Sequence, residues 1–214
     1  MSKKYLVAGA TGLMGTTLVN QIPLSEDVTV IARRKINYKR PVHFLNLDEH
    51  IKLPHADHLF ICLGYPLELR DLLLMRKSIK AKFKAVDYDL VIKVAGAAKE
   101  SNIKSVSVIS SVEANPKSFN YYLKVKGQME NKIRELGFES LNIFRPSHLL
   151  GEREKKIALD VKIFEFFTNI SGNFLFGCFK KYKNIQAHKL AAAMYEKSNK
   201  MSSKINILTF KDFS

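Results

Sequence analysis

Lys4-Tyr5-Leu6-Val7-Ala8-Gly9-Ala10-Thr11-Gly12-Leu13-Met14-Gly15 is the stretch that decides the fold. A short apolar run leads straight into glycines at positions 9, 12 and 15, and a helix-like stretch, Leu13 to Ile22, begins without a gap. Each glycine has a physical task at this spacing. Gly9 permits the tight turn out of a strand, Gly12 puts no side chain between the backbone and a diphosphate, and Gly15 lets the helix lie close to the strand. The helix then aims its free N–H groups and the positive end of its dipole at the phosphates. Strand, glycine turn and helix in this order turn a three-glycine pattern into a dinucleotide signal. The competing reading is a glycine-rich turn in a fold of the same kind that has lost its ligand.

Outward from this motif, strand-like and helix-like runs alternate. That pattern predicts an α/β fold, a doubly wound parallel sheet of the Rossmann type with helices on both faces. Strands are predicted at Lys4–Ala8, Val28–Ala32, Val42–Leu45, His58–Cys62, Ser105–Ser110, Ser140–Phe144 and Ile205–Leu208. Helices are predicted at Leu13–Ile22, Val86–Ser101, Tyr121–Leu136, Leu159–Asn169 and Gln186–Ser198, with Gly137 as the C-cap of the third. Pro66–Ile79 reads as a packed helix or as a lid whose leucines cover the site. No internal repeat and no Pro/Ser-rich linker interrupts the chain, so residues 1–214 are expected to form one domain. Residues 151–185 form its small C-terminal substrate segment. Phe164, Phe166, Phe167, Phe174, Phe176 and Phe179 there would line a substrate pocket or make a satellite core.

The bulk composition narrows the class. With 46% hydrophobic and 26% charged residues, the chain has the balance of a globular protein able to bury a sizeable core. The apolar run after Met1-Ser2-Lys3-Lys4 is too short for a signal peptide, and no stretch approaches the roughly 20 apolar residues of a membrane helix. Cys62 and Cys178 are too few for a disulfide framework and have no zinc-site companions. His43, His50, His55 and His58 are spread too loosely over different elements to argue for a metal. These features predict a reduced, cytoplasmic protein without a membrane span. The net charge is +15, but the lysines are scattered and the densest patch is only Phe179-Lys180-Lys181-Tyr182-Lys183. That reads as a solvated basic surface and not as a specific nucleic-acid site.

The second strand distinguishes between the two nicotinamide dinucleotides. An acid at its end, about 20 residues past the glycines, usually binds the ribose 2′-hydroxyl of NAD. Here the strand runs into Arg33-Arg34-Lys35, with no Asp or Glu. A guanidinium pairs bidentately with a 2′-phosphate, so Arg33 and Arg34 predict NADP(H) over NAD(H).

The chemistry candidates follow. Ser110 and Ser111 end a strand at the carboxyl edge of the sheet, where open α/β folds place ligands. Tyr122 and Lys126, four apart, share one helix face. A phenol ionises near pH 10, and a neighbouring ammonium favours its anion. Such a phenol can give a proton to a carbonyl oxygen or take it back. The Ser111 hydroxyl can hold the same oxygen, and Lys126 can grip the nicotinamide ribose.

Gly9-Ala10-Thr11-Gly12-Leu13-Met14-Gly15, Ser110-Ser111, Tyr122-x-x-x-Lys126 and Arg145-Pro146-Ser147 together resemble the atypical, extended-like short-chain dehydrogenase/reductases. Val86-Asp87-Tyr88-Asp89-Leu90-Val91, the run Tyr122–Glu130, and Phe144-Arg145-Pro146 through Leu149-Leu150 resemble the Tat-interacting-protein-like branch and its small bacterial relatives. The resemblance implies that Gly9, Thr11, Gly12, Leu13, Met14 and Gly15 hold the pyrophosphate and that Leu47 and Asp48 flank the adenine. It also implies that Cys62, Leu63 and Gly64 pass beneath the nicotinamide-side ribose, and that Pro146, Ser147 and His148 approach the nicotinamide. Ser111, Tyr122 and Lys126 would be catalytic. His148 reads otherwise as a structural histidine, Cys62 as a buried strand residue, and Asp87 and Asp89 as helix-start acids.

The chain departs from that family in lacking an Asn within Val86–Ala98 and in having a short substrate segment. The first function expected is an NADP(H)-dependent oxidoreductase acting on a small carbonyl or alcohol. The second is an NADP(H)-binding regulatory or scaffold protein, and a flavin or quinone reductase is the third. A homodimer or protein partner is compatible with the close-packing face Ala95-Gly96-Ala97-Ala98.

Overall fold

The computed structural model describes residues 2–47, 52–67, 71, 75–151, 183–200 and 204–213. Strand β1 (Lys4–Ala8) is buried on both faces: Leu6 and Ala8 join one core layer, Tyr5 and Val7 the other. It pairs in parallel with β2 (Asp27–Ala32) on one side and β4 (His58–Ile61) on the other. With β3 (His43–Asn46), β5 (Ser105–Ile109), β6 (Ser140–Phe144) and β9 (Ile205–Leu208), the sheet order is β3-β2-β1-β4-β5-β6-β9, with every pairing parallel. A parallel strand covered on both faces must be apolar nearly throughout, which is how β1, β2, β4 and β6 read.

Helices α1 (Leu13–Gln21) and α5 (Ala187–Asn199) cover one face through Leu18, Val19, Leu190, Ala191 and Met194. Helices α3 (Val91–Glu100) and α4 (Tyr121–Glu135) cover the other through Val94, Ala95, Ala98, Met129 and Ile133. The chain therefore leaves β1 toward one face and β4 toward the opposite one. The connections that follow these adjacent strands part to opposite faces, which makes the carboxyl ends of β1 and β4 the switch point where such sheets bind ligands.

Most of the predicted boundaries hold within one or two residues. Asn120 caps α4 by accepting from the Leu123 N–H at 3.2 Å, and Gly137 follows that helix at φ +65°. The second predicted helix differs. The helix expected to start at Val86 is continuous from Lys77, as α2 (Lys77–Lys84), a π-helical turn (Ala85–Leu90) and α3. Phe83 is the only buried residue of the lysine-rich α2, with Ile79 one turn before it packed in the same cluster, so the apolar face is short and set among lysines. A two-residue parallel pair, β7 (Leu149–Leu150) with β8 (Ile185–Gln186), is likewise too short to leave a periodic signal. The expected Leu159–Asn169 helix, the phenylalanines of Gly151–Tyr182, residues 68–70 and 72–74 of the Pro66–Ile79 stretch, and Asp48 lie outside the described residues.

A polar ladder crosses the α5 side of the sheet. His58 Nδ1 and Nε2 lie 2.7 and 2.9 Å from the hydroxyls of Ser105 and Ser107. Asn142 donates to Ser107 at 3.5 Å, and Asn206 donates to Asn142 at 2.9 Å. Burial, with a smaller contribution from Lys3, pushes His58 down to about 3, so it is a neutral structural histidine.

Candidate cofactor and catalytic site

The glycine turn is built by close backbone packing. Gly9 has φ +79° and donates its N–H to the Ile31 carbonyl at 3.2 Å. A Cβ there would stand 2.6 Å from the Cys62 carbonyl, and one at Gly15 would stand 2.3 Å from the Gly9 oxygen. Gly12, at the N-terminus of α1, is exposed and has no side-chain cap, and the first turn of α1 contains no acid. Bare N–H groups at a positive helix end fit an anion, so the residues present suit a diphosphate. Thr11, Leu13 and Met14 complete this turn, with Met14 turned into the core.

Beyond β2, Arg33 and Arg34 are exposed, and among the described residues neither takes part in an ion pair. Leu47 is buried beside them, its N–H donating to the Ala32 carbonyl at 3.1 Å. The exit of β4 runs under the glycine turn, with the Cys62 N–H on the Ala8 carbonyl at 2.8 Å. Burial raises the Cys62 thiol to about 12, so it stays protonated and inert. Leu63 is buried, and Gly64 is exposed.

Lys126 is buried, and its ammonium lies 2.8 Å from Asp87 Oδ1 and 3.5 Å from the Ile109 carbonyl. Burial alone would lower this ammonium. Asp87 first, then Tyr122 and Glu130, outweigh that effect and hold it above its ordinary value. Asp87 Oδ2 accepts the Tyr65 N–H at 2.7 Å, so one carboxylate joins α4 to the exit of β4. The expectation that Asp87 is a helix-start acid is therefore corrected: the helix begins earlier, and the π-helical turn carries Asp87 inside. Asp89 is on the surface, 2.8 Å from Lys84. The Tyr122 ring packs on Phe83 at 5.3 Å between centroids.

The two serines part company. Ser111 stays at the edge, its hydroxyl donating to the Val112 carbonyl at 3.2 Å. Ser110 turns inward and donates to Glu130 at 2.6 Å. Glu130 is fully buried and also accepts from Arg145 Nε at 2.8 Å, Arg145 Nη2 at 2.6 Å and Arg134 Nη2 at 3.0 Å. This cluster ties α4 to the ends of β5 and β6. The Val112 N–H on the buried Pro146 carbonyl at 2.9 Å closes the same edge, and half-buried Ser147 and His148 follow it. Asp87 and Glu130 were missed as site residues. Glu130, one turn past Lys126 on a buried helix face, could have been found from that spacing. Asp87 could not, because its inward direction depends on the π-helical turn.

A glycine turn at the end of β1, a lysine-bearing helix beside β5 and a sheet of this order define a Rossmann-type α/β fold. The chain's solved neighbours share that fold. MoeE5 in complex with UDP-glucose and NAD superposes with a TM-score of 0.72 at 14% identity, covering 96% of this chain and 75% of MoeE5. A short chain dehydrogenase family protein from Francisella tularensis covers 97% of both chains with a TM-score of 0.64 at 16% identity. In sequence, the rat protein HTATIP2 is 34% identical over 167 residues, 72% of this chain and 66% of that protein. This chain thus spans just under two thirds of the rat protein. Protein FMP52, mitochondrial, of Lodderomyces elongisporus is 31% identical over 170 residues, 72% of this chain and 70% of that protein. The chain belongs to the family of the HTATIP2 and FMP52 proteins. No family model matches it. The cytoplasmic setting expected from the cysteines is overturned by the fungal relatives, which are named as mitochondrial proteins. Among the described residues, no helix is long and apolar enough to cross a membrane.

Proposed function

We propose that this chain is a single-domain, NADP(H)-dependent oxidoreductase that interconverts a small carbonyl and its alcohol. One observation carries the reading: buried Lys126, one helical turn beyond Tyr122, is joined through Asp87 to the strand exit that passes under Gly9. These links support a reading in which the glycine turn and the Tyr–Lys face serve one site. NADP(H) bound there supplies hydride transfer. Gly9, Thr11, Gly12, Leu13, Met14 and Gly15 hold its diphosphate, and Arg33 and Arg34 its 2′-phosphate. Leu47 and Asp48 flank the adenine, Cys62, Leu63 and Gly64 underlie the ribose, and Pro146, Ser147 and His148 face the nicotinamide. Tyr122 gives a proton to the carbonyl oxygen or takes it back, Ser111 holds that oxygen, and Lys126 grips the nicotinamide ribose. The phenylalanines of Gly151–Tyr182 favour an apolar substrate.

A side-by-side titration with NADPH and NADH tests the cofactor assignment. Charge-assisted bonds are worth roughly 1.5–3 kcal/mol, so each arginine should favour NADPH by about 10- to 100-fold. Arg33→Glu/Arg34→Glu should abolish that preference, and unchanged selectivity would sink the NADP(H) assignment. Tyr122→Phe should lower turnover by orders of magnitude while leaving NADPH affinity nearly intact; a fully active variant removes Tyr122 from the mechanism.

A further inference from the structure

Asp87 connects parts of the crevice that are far apart in the chain. Its side chain is 3% exposed and that of Lys126 is 5% exposed, so neither charge is screened by solvent. Both carboxylate oxygens are engaged, one by the Lys126 ammonium at 2.8 Å and the other by the Tyr65 N–H at 2.7 Å. Gly64, next to Tyr65, would bring even a Cβ to 3.8 Å from Asp87 Oδ1. A π-helical turn rotates less per residue than an α-helix, and such turns recur at functional sites. Here it brings Phe83, Asp87 and Val91, spaced by four, all to the inner side. A helix that departs from its regular form to bury an acid against one lysine is built around that contact.

We infer that Asp87 is a positioning residue: with its two oxygens it fixes the Lys126 ammonium and the exit of β4 in one register. The inference deepens the cofactor reading of this edge and rests on it. Asp87 does not touch the reacting atoms. It sets where the Lys126 charge stands relative to Tyr122 and the ribose side of the crevice. The charged and titratable groups around Lys126 are Asp87 on the π-helical turn and Tyr122 and Glu130 on α4. Glu130 is already bound by Ser110 and two arginines. Removing the Asp87 charge would leave desolvation to dominate, and Lys126 would then shed its proton below its ordinary range.

The test compares the full chain with Asp87→Asn and Asp87→Asn/Lys126→Met. Asn preserves shape and can still accept from Tyr65, but it cannot balance the ammonium. At about pH 7, Asp87→Asn should lower Tm on the order of 10 °C. The sign of its pH dependence is decisive. In the native chain the lysine proton stabilises the fold at all pH values below the ordinary lysine range. In Asp87→Asn that proton is a penalty, and the penalty disappears as the lysine discharges. The Tm deficit should therefore shrink by at least about half between roughly pH 7 and pH 10, and Lys126→Met should restore most of it. A deficit independent of pH, or one that Lys126→Met does not repair, overturns the proposal. If Asp87→Asn alone does not fold, a folded double variant supports it and an unfolded one overturns it. NADPH titrations provide the functional arm. Affinity should fall with rising pH in Asp87→Asn and stay flat in the native chain; equal pH profiles reduce Asp87 to a structural residue. If the native chain binds neither NADPH nor NADH, the cofactor reading fails, while the Tm comparison still decides whether Asp87 holds Lys126.

Discussion

Gly127→Ala should destabilise the protein even though it improves the helix that contains it. Helix propensity alone favours alanine over an interior glycine by about 1 kcal/mol. The structure opposes this: a Cβ on Gly127 would lie 2.3 Å from the Asn115 carbonyl carbon and the Pro116 nitrogen, and 2.7 Å from the Asn115 Cα. All three are backbone atoms and cannot rotate aside. The same crossing holds a hydrogen bond from the Asn115 N–H to the Leu123 carbonyl at 3.1 Å. Overpacking of this kind costs about 1–3 kcal/mol, and the strained hydrogen bond about 1 kcal/mol more. After the propensity gain is subtracted, the net loss is about 2 kcal/mol, or a fall in Tm of roughly 4–8 °C for a chain of this size. Gly96→Ala in α3 is the internal control, because among the described residues nothing stands within 4 Å of its Cβ position. There propensity should win, with Tm rising by roughly 1–4 °C. Thermal unfolding followed by far-UV circular dichroism reads both variants. If Gly127→Ala raises Tm as Gly96→Ala does, the Asn115–Pro116 segment does not press on α4 and the reasoning fails.

Glu130→Gln removes the charge from a carboxylate that accepts four hydrogen bonds, and should cost about 3 kcal/mol; a urea midpoint close to that of the native chain would show that Ser110 and the arginines do not depend on it. His58 is held at about 3 in the fold against an ordinary value near 6.5, so the unfolded chain takes up its proton first. Its contribution is fully present above about pH 6.5 and is lost at up to about 1.4 kcal/mol per pH unit as pH falls toward 3. His58→Asn should flatten that part of the stability curve, and an unchanged acid slope would assign the loss to other groups.

The legible parts of this molecule were those written in local pattern. The run before Gly9 and the alternation of strands with amphipathic helices placed the sheet, since a buried parallel strand must be apolar and a covering helix must repeat its apolar face. The placing of the glycine turn, Arg33, Arg34 and Ser111 just after strands, and of Tyr122 and Lys126 on one helix, followed from the same pattern. The lysine-rich α2 was illegible because its apolar face is only Ile79 and Phe83, set among lysines. Ser110 and Ser111 looked alike because adjacency in sequence does not say which hydroxyl meets Glu130.

By itself, the sequence determined a parallel sheet with a glycine turn after β1 and a helix that carries Tyr122 and Lys126, because spacing and residue type express turn geometry and hydrophobic period. Only the tertiary structure decided that Asp87 faces inward to Lys126, that Glu130 binds Ser110, Arg134 and Arg145, and that Gly127 lies under Asn115 and Pro116. Those choices depend on where a π-helical turn rotates a helix and where distant backbones cross, and both are set by packing between residues that no local pattern connects.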